Sequence, residues 1–289
     1  MKKLQNKIIG LIIAIVVLAI PVLFNSENEP VSTIPYVANS ELEIIFFDVG
    51  QADSTLIISG NKTMLIDGGE DESGAFLVKQ IQDLGINKID YLIATHMHAD
   101  HIGGLDKIVK ELEIGDIYMP DTEHPTKQVQ EFLQAIDEKN LQYELVEIGK
   151  EIMLEEAKCE VMYVDNNLPA NLNLASIVIQ LEFGNQKFLF MADAEKAIEQ
   201  ARQWEKVDVL KVGHHGSNTS STEEFLNQVH PSISVISVGK NNSYKHPTQE
   251  VLNRLLAIET KIYRTDEMGS IWITSNGNES TVKTLDERK

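Results

Sequence analysis

The run Thr95-His96-Met97-His98-Ala99-Asp100-His101 follows directly on the apolar stretch Ile89 to Ala94, and no other feature constrains the fold as strongly. Imidazole and carboxylate are ligands suited to zinc or a similar divalent ion. A strand that ends here and turns into a helix sends His96 and His98 to one side, and Asp100 and His101 to a neighbouring position. Such a spray can hold two ions close together, the arrangement of hydrolases that cleave esters and phosphoesters. Four ligands are too few for two sites, because each catalytic zinc takes about three protein ligands plus water. The rest of the chain must therefore bring more ligands back to this strand end.

Candidates for that return all follow apolar strands. Asp193 ends Phe188 to Ala192, where its carboxylate can bridge two ions. It can also cap the helix that follows, and the two roles are compatible. His214-His215-Gly216-Ser217 follows Val209 to Val212. Adjacent histidines point in different directions, so one ligates while the other contacts substrate or supports a ligand; the sequence does not choose between them. His246, in Tyr244-Lys245-His246-Pro247, lies in a loop after the strand at 233–238. The count then closes. His96, His98 and a further histidine hold one ion, Asp100, His101 and another histidine hold the second, and Asp193 is shared. One of His214 and His215, together with His246, supplies the two missing imidazoles. Asp67 ends another strand and either orients the nucleophile or holds a ligand histidine, unless it merely starts the turn at Gly68-Gly69. The candidate metal ligands are thus His96, His98, Asp100, His101, Asp193, His214, His215 and His246. Asp67, Asp100 and His215 are the candidate catalytic groups. His124 reads as a loop residue and His230 as a helix end. Two ions, zinc or alternatively manganese or iron, would lower the pKa of a bridging water, yield a hydroxide nucleophile and polarise the substrate.

Bulk properties limit the partners. A net charge of −19 repels polyanions at long range and argues against a broad basic DNA-binding face, although bound divalent cations invert the local field. The single cysteine, Cys159, excludes an intrachain disulfide and a Cys-rich zinc site, and it reads as a small buried hydrophobe. Lys2, Lys3 and Lys7 precede the uncharged apolar run Ile8 to Phe24. This run is at the lower limit of a bilayer span, lacks a good cleavage site, and has positive charge on its cytoplasmic side. Residues 1–24 are expected to be an uncleaved membrane anchor, with a cleaved signal as the alternative. Residues 25–40 read as a linker and 41–289 as the folded body, placed outside the cytoplasmic membrane or secreted.

Within the body, strands are predicted at 42–47, 54–58, 63–66, 89–94, 116–119, 142–146, 158–164, 175–183, 187–191, 207–212 and 233–238, and near 261–264, 269–274 and 280–285. Helices are predicted at 75–84, 103–112, 126–139, 195–204, 222–229 and 249–257. Strands and helices alternate within each half, and hydrophobic residues make up 43% of the chain. Two sheets packed face to face with helices outside satisfy this order, an α/β fold.

These motifs resemble those of the metallo-β-lactamase superfamily. His96-Met97-His98-Ala99-Asp100-His101 is similar to its H-x-H-x-D-H signature, and Leu65 to Gly69 and Ala192 to Glu195 to its first and fourth motifs. Phe47-Asp48-Val49-Gly50-Gln51-Ala52-Asp53-Ser54, Leu210 to Ser217, and Lys245-His246-Pro247 resemble the soluble domain of the ComEC branch, the DNA-uptake channel proteins. The likeness covers 41–285. It implies a four-layer αββα sandwich with a dinuclear site between the sheets, and a phosphodiesterase or nuclease activity. Two departures stand out. Asn171, Asn173 and Ser176 occupy the region of the usual third-motif histidine, and Ala52 replaces a glycine. With one apolar span, the chain is not expected to form a channel itself. The expected substrate is a phosphoester, DNA among the candidates. The alternatives are a small-molecule or cell-surface ester such as a phosphorylcholine ester, or a non-catalytic binding module. No protein partner is inferable.

Overall fold

The computed structural model describes residues 41–121 and 125–285. The expected anchor (1–24), the linker (25–40) and His124 lie outside the described residues. No helix among the described residues is long and apolar enough to cross a membrane.

The first half of the body runs β1 (Leu42–Phe46), β2 (Thr55–Ser59), β3 (Lys62–Ile66), α1 (Ser73–Asp83), β4 (Lys88–Ile93), α2 (Ala99–Ile102), α3 (Leu105–Glu111), β5 (Glu113–Met119), α4 (Lys127–Glu138) and β6 (Tyr143–Leu145). The second half continues with β7 (Glu151–Leu154), β8 (Ala157–Tyr163), β9 (Val178–Phe183), β10 (Gln186–Phe190), α5 (Lys196–Glu199), β11 (Val209–Lys211), α6 (Glu223–Val229), β12 (Ile233–Ile236) and α7 (Gln249–Ala257). The chain closes with β13 (Lys261–Arg264), α8 (Thr265–Met268), β14 (Ser270–Ser275) and β15 (Ser280–Leu285). One sheet has the order β15-β14-β1-β2-β3-β4-β5-β6, and the other β13-β12-β11-β10-β9-β8-β7.

Both faces of the central strands are covered, which is why they read as unbroken apolar runs rather than as alternating patterns. Successive side chains leave a strand on opposite faces. Leu42, Ile44 and Phe46 of β1 therefore enter the core between the sheets with Phe188 and Phe190 of β10. Ile45 and Phe47 enter a second core with α1, α3 and α4. On the far side, Leu189 and Met191 pack under α6 and α7 through Phe225, Leu226, Val251 and Leu255. Phe46 stacks on Phe190 across the sandwich with ring centroids 6.2 Å apart. The result is the expected αββα sandwich.

Four local expectations need correction. The helix predicted at 195–204 ends after Glu199, because Trp204 Nε1 donates to the Glu199 carbonyl at 2.7 Å and Arg202 Nη1 to the Met162 carbonyl at 2.7 Å. The Trp204 ring thereby takes the carbonyl that the next helical turn would use, and Arg202 is drawn towards a different strand. The helix predicted at 103–112 forms as α3 after Gly103-Gly104, but a separate helical turn, α2, precedes it. A Cβ on Gly104 would run into the Gly68 carbonyl, so only glycine lets the two loops meet. The strand predicted from 175 starts at Val178, after a 3-10 turn at Leu172–Ala175 in which the Asn173 N–H donates to Asn171 Oδ1. The edge strand β7 is an addition that short, charge-interrupted Glu151–Leu154 did not announce.

Strand direction decides where the site lies. β3 and β4 are parallel in the first sheet, and β10, β11 and β12 are parallel in the second. β1 lies antiparallel to β2, which lies antiparallel to β3, so β1 ends at the same edge as β3. The loops carrying Asp53, Asp67, His96 to His101, Asp193, His214-His215 and His246 all leave carboxyl ends of these strands. One rim of the sandwich collects them, as open α/β sheets commonly do with ligand-binding loops.

Candidate metal centre

The first-sheet half is a locked cluster. His96 and His101 are 0% exposed. The Asp67 carboxylate accepts the Thr95 backbone N–H at 2.8 Å, the Thr95 hydroxyl at 2.7 Å and His101 Nδ1 at 2.7 Å. Since Thr95 gives its only hydroxyl proton to Asp67, its oxygen is left to accept from His96 Nδ1 at 3.2 Å. With Nδ1 engaged in this way, both rings turn Nε2 towards the rim. His98 is partly buried, and its Nδ1 faces His96 Nε2 at 2.9 Å. Backbone ties hold the loop: Asp53 N to Asp100 O at 3.0 Å, Gly68 N to His101 O at 2.7 Å, and Ile177 N to Thr95 O at 2.9 Å.

The second-sheet half brings three more groups. Asp193 is 2% exposed and lies between the two histidine sets. Its Oδ2 is 3.9 Å from His96 Nε2 and 3.7 Å from His214 Nε2. Its Oδ1 is 3.3 Å from His101 Nε2 and 3.6 Å from His215 Nε2. His215 donates Nδ1–H to the Ser237 carbonyl at 2.9 Å, which turns Nε2 towards the rim, 3.2 Å from Asp100 Oδ2. His214 is held the same way, with Nδ1 3.3 Å from Glu195 Oε1 and 3.1 Å from Thr219 Oγ1. The adjacent histidines thus serve different sides of Asp193, a choice the sequence left open. His246 lies further out, its ring 5.8 Å from that of His214. Among the described residues, the ligand-forming atoms that gather within one coordination sphere belong to His96, His98 and Asp193 on one side and to Asp53, His101, Asp193 and His215 on the other. His214 and Asp100 stand beside these groups, and His246 stands apart from them.

The donor set fits divalent cations. His101 Nε2 and Asp193 Oδ1 are buried, close to each other and without a hydrogen-bond partner. Unpaired buried polar atoms of that kind are costly unless something else satisfies them. Nitrogen and carboxylate oxygen donors suit zinc, manganese or iron.

Charge follows from burial and proximity. Burial pulls the His96 imidazole well below its ordinary pKa, and His101 beside it adds to the effect. Burial also lowers His98. It acts the same way on His101 and His215, but the carboxylates override it: Asp193, Asp67 and Asp100 for His101, Asp193 and Asp53 for His215. Both rings end above their ordinary value, His101 well above it. Burial alone would raise Asp193 and Asp100, yet the neighbouring imidazoles hold both below the usual carboxylate range. Burial raises Asp67, with His101 restraining the rise. His246 is pushed down to about 4 by burial and by His214. The centre is therefore a pair of carboxylates that stay anionic and attract positive charge into a desolvated rim.

Backbone strain gathers at the same loops. Asp67 (φ 61°), Ala192 (φ 47°), His214 (φ 48°) and His215 (φ 51°) adopt left-handed conformations without being glycine. Such residues cost about 1–3 kcal/mol each and persist where the surroundings over-determine them.

Several participants are additions to the sequence reading. Lys211, 3% exposed, forms an ion pair with Asp53 behind His101 and His215, joining the second sheet to the loop after β1. A lysine inside Val209-Leu210-Lys211-Val212 was the available signal, since a buried charge demands a partner. Glu195 supports His214. Gln51, Glu70 and Tyr244 line the cavity of about 340 Å³ above the centre, together with His98, Asp100, Asp193, His214, His215 and His246. Burial, and then Asp100, raise Glu70. Asp67 lies behind His101, bonded to its Nδ1, and does not line that cavity.

Residues 47–240 match the Metallo-beta-lactamase superfamily model. ComE operon protein 3 of Bacillus subtilis (strain 168) is 32% identical over 81% of this chain and 33% of its own length. Competence protein ComA of Neisseria gonorrhoeae is 30% identical over 81% of this chain and 32% of its own length. The chain therefore spans about a third of the length of these relatives. Among solved structures, the metallo-β-lactamase fold protein YhfI of Bacillus subtilis superposes with a TM-score of 0.53 at 11% identity, covering 78% of this chain and 96% of its own.

Proposed function

The chain belongs to the metallo-β-lactamase superfamily, with competence-protein relatives, and on that premise we propose that it is a dinuclear phosphodiesterase. The family reading makes it a metal-dependent hydrolase by fold. The observation that carries the finer assignment is Asp193, whose two oxygens face two separate sets of imidazoles. His96, His98, His214 and Asp193 would hold one ion, and Asp100, His101, His215 and Asp193 would hold the other. His214 stands in for the third-motif histidine absent from the 171–176 region. His246 lines the substrate cavity beside them.

Two divalent ions bound there, most simply zinc, supply Lewis acidity that activates water at neutral pH and offsets charge on the reacting phosphoryl group. The chain's own residues prepare that chemistry. Asp67, Ser237 and Glu195 fix the rings of His101, His215 and His214 in the orientation that leaves Nε2 free. His96 and His101 exclude water behind the centre by their burial.

The substrate class follows from two supports. The likeness to a competence protein favours a nucleic-acid phosphodiester. The net charge of −19 favours the rival, a small ester such as a phosphorylcholine ester. Residues 41–289 form the hydrolase domain in this reading. Residues 1–24 anchor it and 25–40 link it, with the body outside the cytoplasmic membrane. The basic start and apolar run support that location.

The test is elemental analysis and turnover of the full chain. Two transition-metal ions per chain and cleavage of both bis-p-nitrophenyl phosphate and single-stranded DNA are expected. Cleavage of the small ester but never of DNA selects the small-substrate rival. No hydrolysis of either, or of p-nitrophenyl phosphorylcholine, by the fully metal-loaded chain reduces it to a binding module.

A further inference from the structure

The loop after β12 presents an aromatic ring that the metal chemistry does not require. Tyr244 is 68% exposed on the cavity wall. One face of its ring stacks on His246, with centroids 5.8 Å apart and planes 16° apart. The His246 ring is in turn 5.8 Å from that of His214. Tyr244 thus stands two ring steps from the centre with its other face open. The loop beneath it is braced. Asn242 Nδ2 donates to the carbonyls of Gly239 and His246 at 2.9 and 2.6 Å, and Asn242 Oδ1 accepts the His246 N–H at 3.0 Å. Gln51 Oε1 accepts the Gly239 N–H at 3.1 Å and ties this loop to the one after β1. A large apolar ring is costly to hold in water, and this one is held ready rather than folded away.

The charges beside it discriminate between ligands. Lys240 and Lys245 flank Tyr244, are exposed, and have no carboxylate partner among the described residues. Lys139, Lys196, Lys206 and Lys261 are also exposed and without such a partner among the described residues, so it is the place of Lys240 and Lys245 in the loop that carries Tyr244 and His246 that sets them apart. An open aromatic face accepts either a quaternary ammonium or a flat base. Two free ammonium groups repel the first, and they attract the phosphates that accompany the second.

We propose that Tyr244 is a stacking platform for the nucleobase next to the scissile phosphodiester, with Lys240 and Lys245 holding the flanking phosphates. This rests on the phosphodiesterase reading above and names its substrate as single-stranded nucleic acid. A base outside the duplex suits a ring that offers one open face, because stacking needs an unpaired, accessible base.

The experiment compares two diesters with the same leaving group, thymidine 5′-(p-nitrophenyl phosphate) and ethyl p-nitrophenyl phosphate, on the full-length metal-loaded chain. The nucleoside ester is expected to have the higher kcat/KM. Tyr244→Ala should shrink that preference about 5- to 20-fold, and Tyr244→Trp should restore it. An equal loss on both esters, or an undiminished preference, overturns the platform. A preference for p-nitrophenyl phosphorylcholine that Tyr244→Ala removes assigns the ring to a quaternary ammonium and also overturns it. If neither diester is cleaved, the phosphodiesterase reading fails separately, and binding of fluorescein-labelled dT10 decides. At least fivefold weaker binding by Tyr244→Ala then sustains the platform, and equal binding overturns it. In the same binding assay, Lys240→Gln with Lys245→Gln should flatten the salt dependence by about 1.4 in log–log slope, and an unchanged slope removes the lysines from the proposal.

Discussion

The two strand ends that meet at the centre are built to different tolerances. On the first sheet, His96 and His101 are fully buried, and a single Asp67–Thr95 unit orients both. On the second sheet, His214 and His246 remain partly open, and each is steadied by its own partner, Glu195 or Asn242. Asp193 and the Asp53–Lys211 pair belong to the seam between them. The buried half is suited to holding cations in unvarying geometry. The open half leaves faces and edges that a substrate can touch. In the proposed scheme the fully buried groups, His96 and His101 with His215 of the second sheet, would set affinity for metal, and the more open ones, His214 and His246 with His98 of the first sheet, would set the choice of substrate.

Substitutions at the seam should break that division most severely. Asp193→Ala is expected to lower kcat on the order of 10³-fold and to leave one metal ion or fewer per chain, read by elemental analysis. Retained turnover with two ions would remove the shared carboxylate from the scheme. Lys211→Met strands the Asp53 carboxylate in the seam and should cost about 3–5 kcal/mol, a fall in Tm of about 10 °C by calorimetry. Adding Asp53→Asn should recover part of that loss, because no buried charge is then left alone. An unchanged Tm in the single variant would mean that His101 and His215 already compensate Asp53.

Within the buried half, Asp67→Asn should reduce metal affinity or activity about 10- to 100-fold without unfolding the chain, followed by competition with a chelator. The open half should respond less. Glu195→Gln is expected to cost about tenfold at most, since Thr219 also bonds His214 Nδ1. A larger loss from Glu195→Gln than from Asp67→Asn would invert the comparison.

How much of this could be read in advance depends on sequence distance. His96, His98, Asp100 and His101 are neighbours in the chain, so their chemistry announces itself, and the apolar run before them locates a strand end. Asp193 and the His214-His215 pair were legible for the same reason, each closing an apolar strand. The central strands were legible because both of their faces are buried. β7 was not, because a four-residue edge strand that buries only Ile152 and Leu154 carries a weak pattern. The helix predicted at 195–204 misled because the groups that end it, Trp204 and Arg202, act through bonds that local spacing does not show.

The linear order of residues was enough to determine the layers, the rim that gathers the candidate ligands and the kind of side chain found there. Those follow from period, apolar burial and the identity of side chains at strand ends, all local properties. Only the tertiary structure decided which of His214 and His215 faces which oxygen of Asp193, that Asp67 stands behind His101, and that Lys211 answers Asp53. Those outcomes depend on the direction of a ring nitrogen or a carboxylate oxygen, and direction is set by partners that arrive from the opposite sheet.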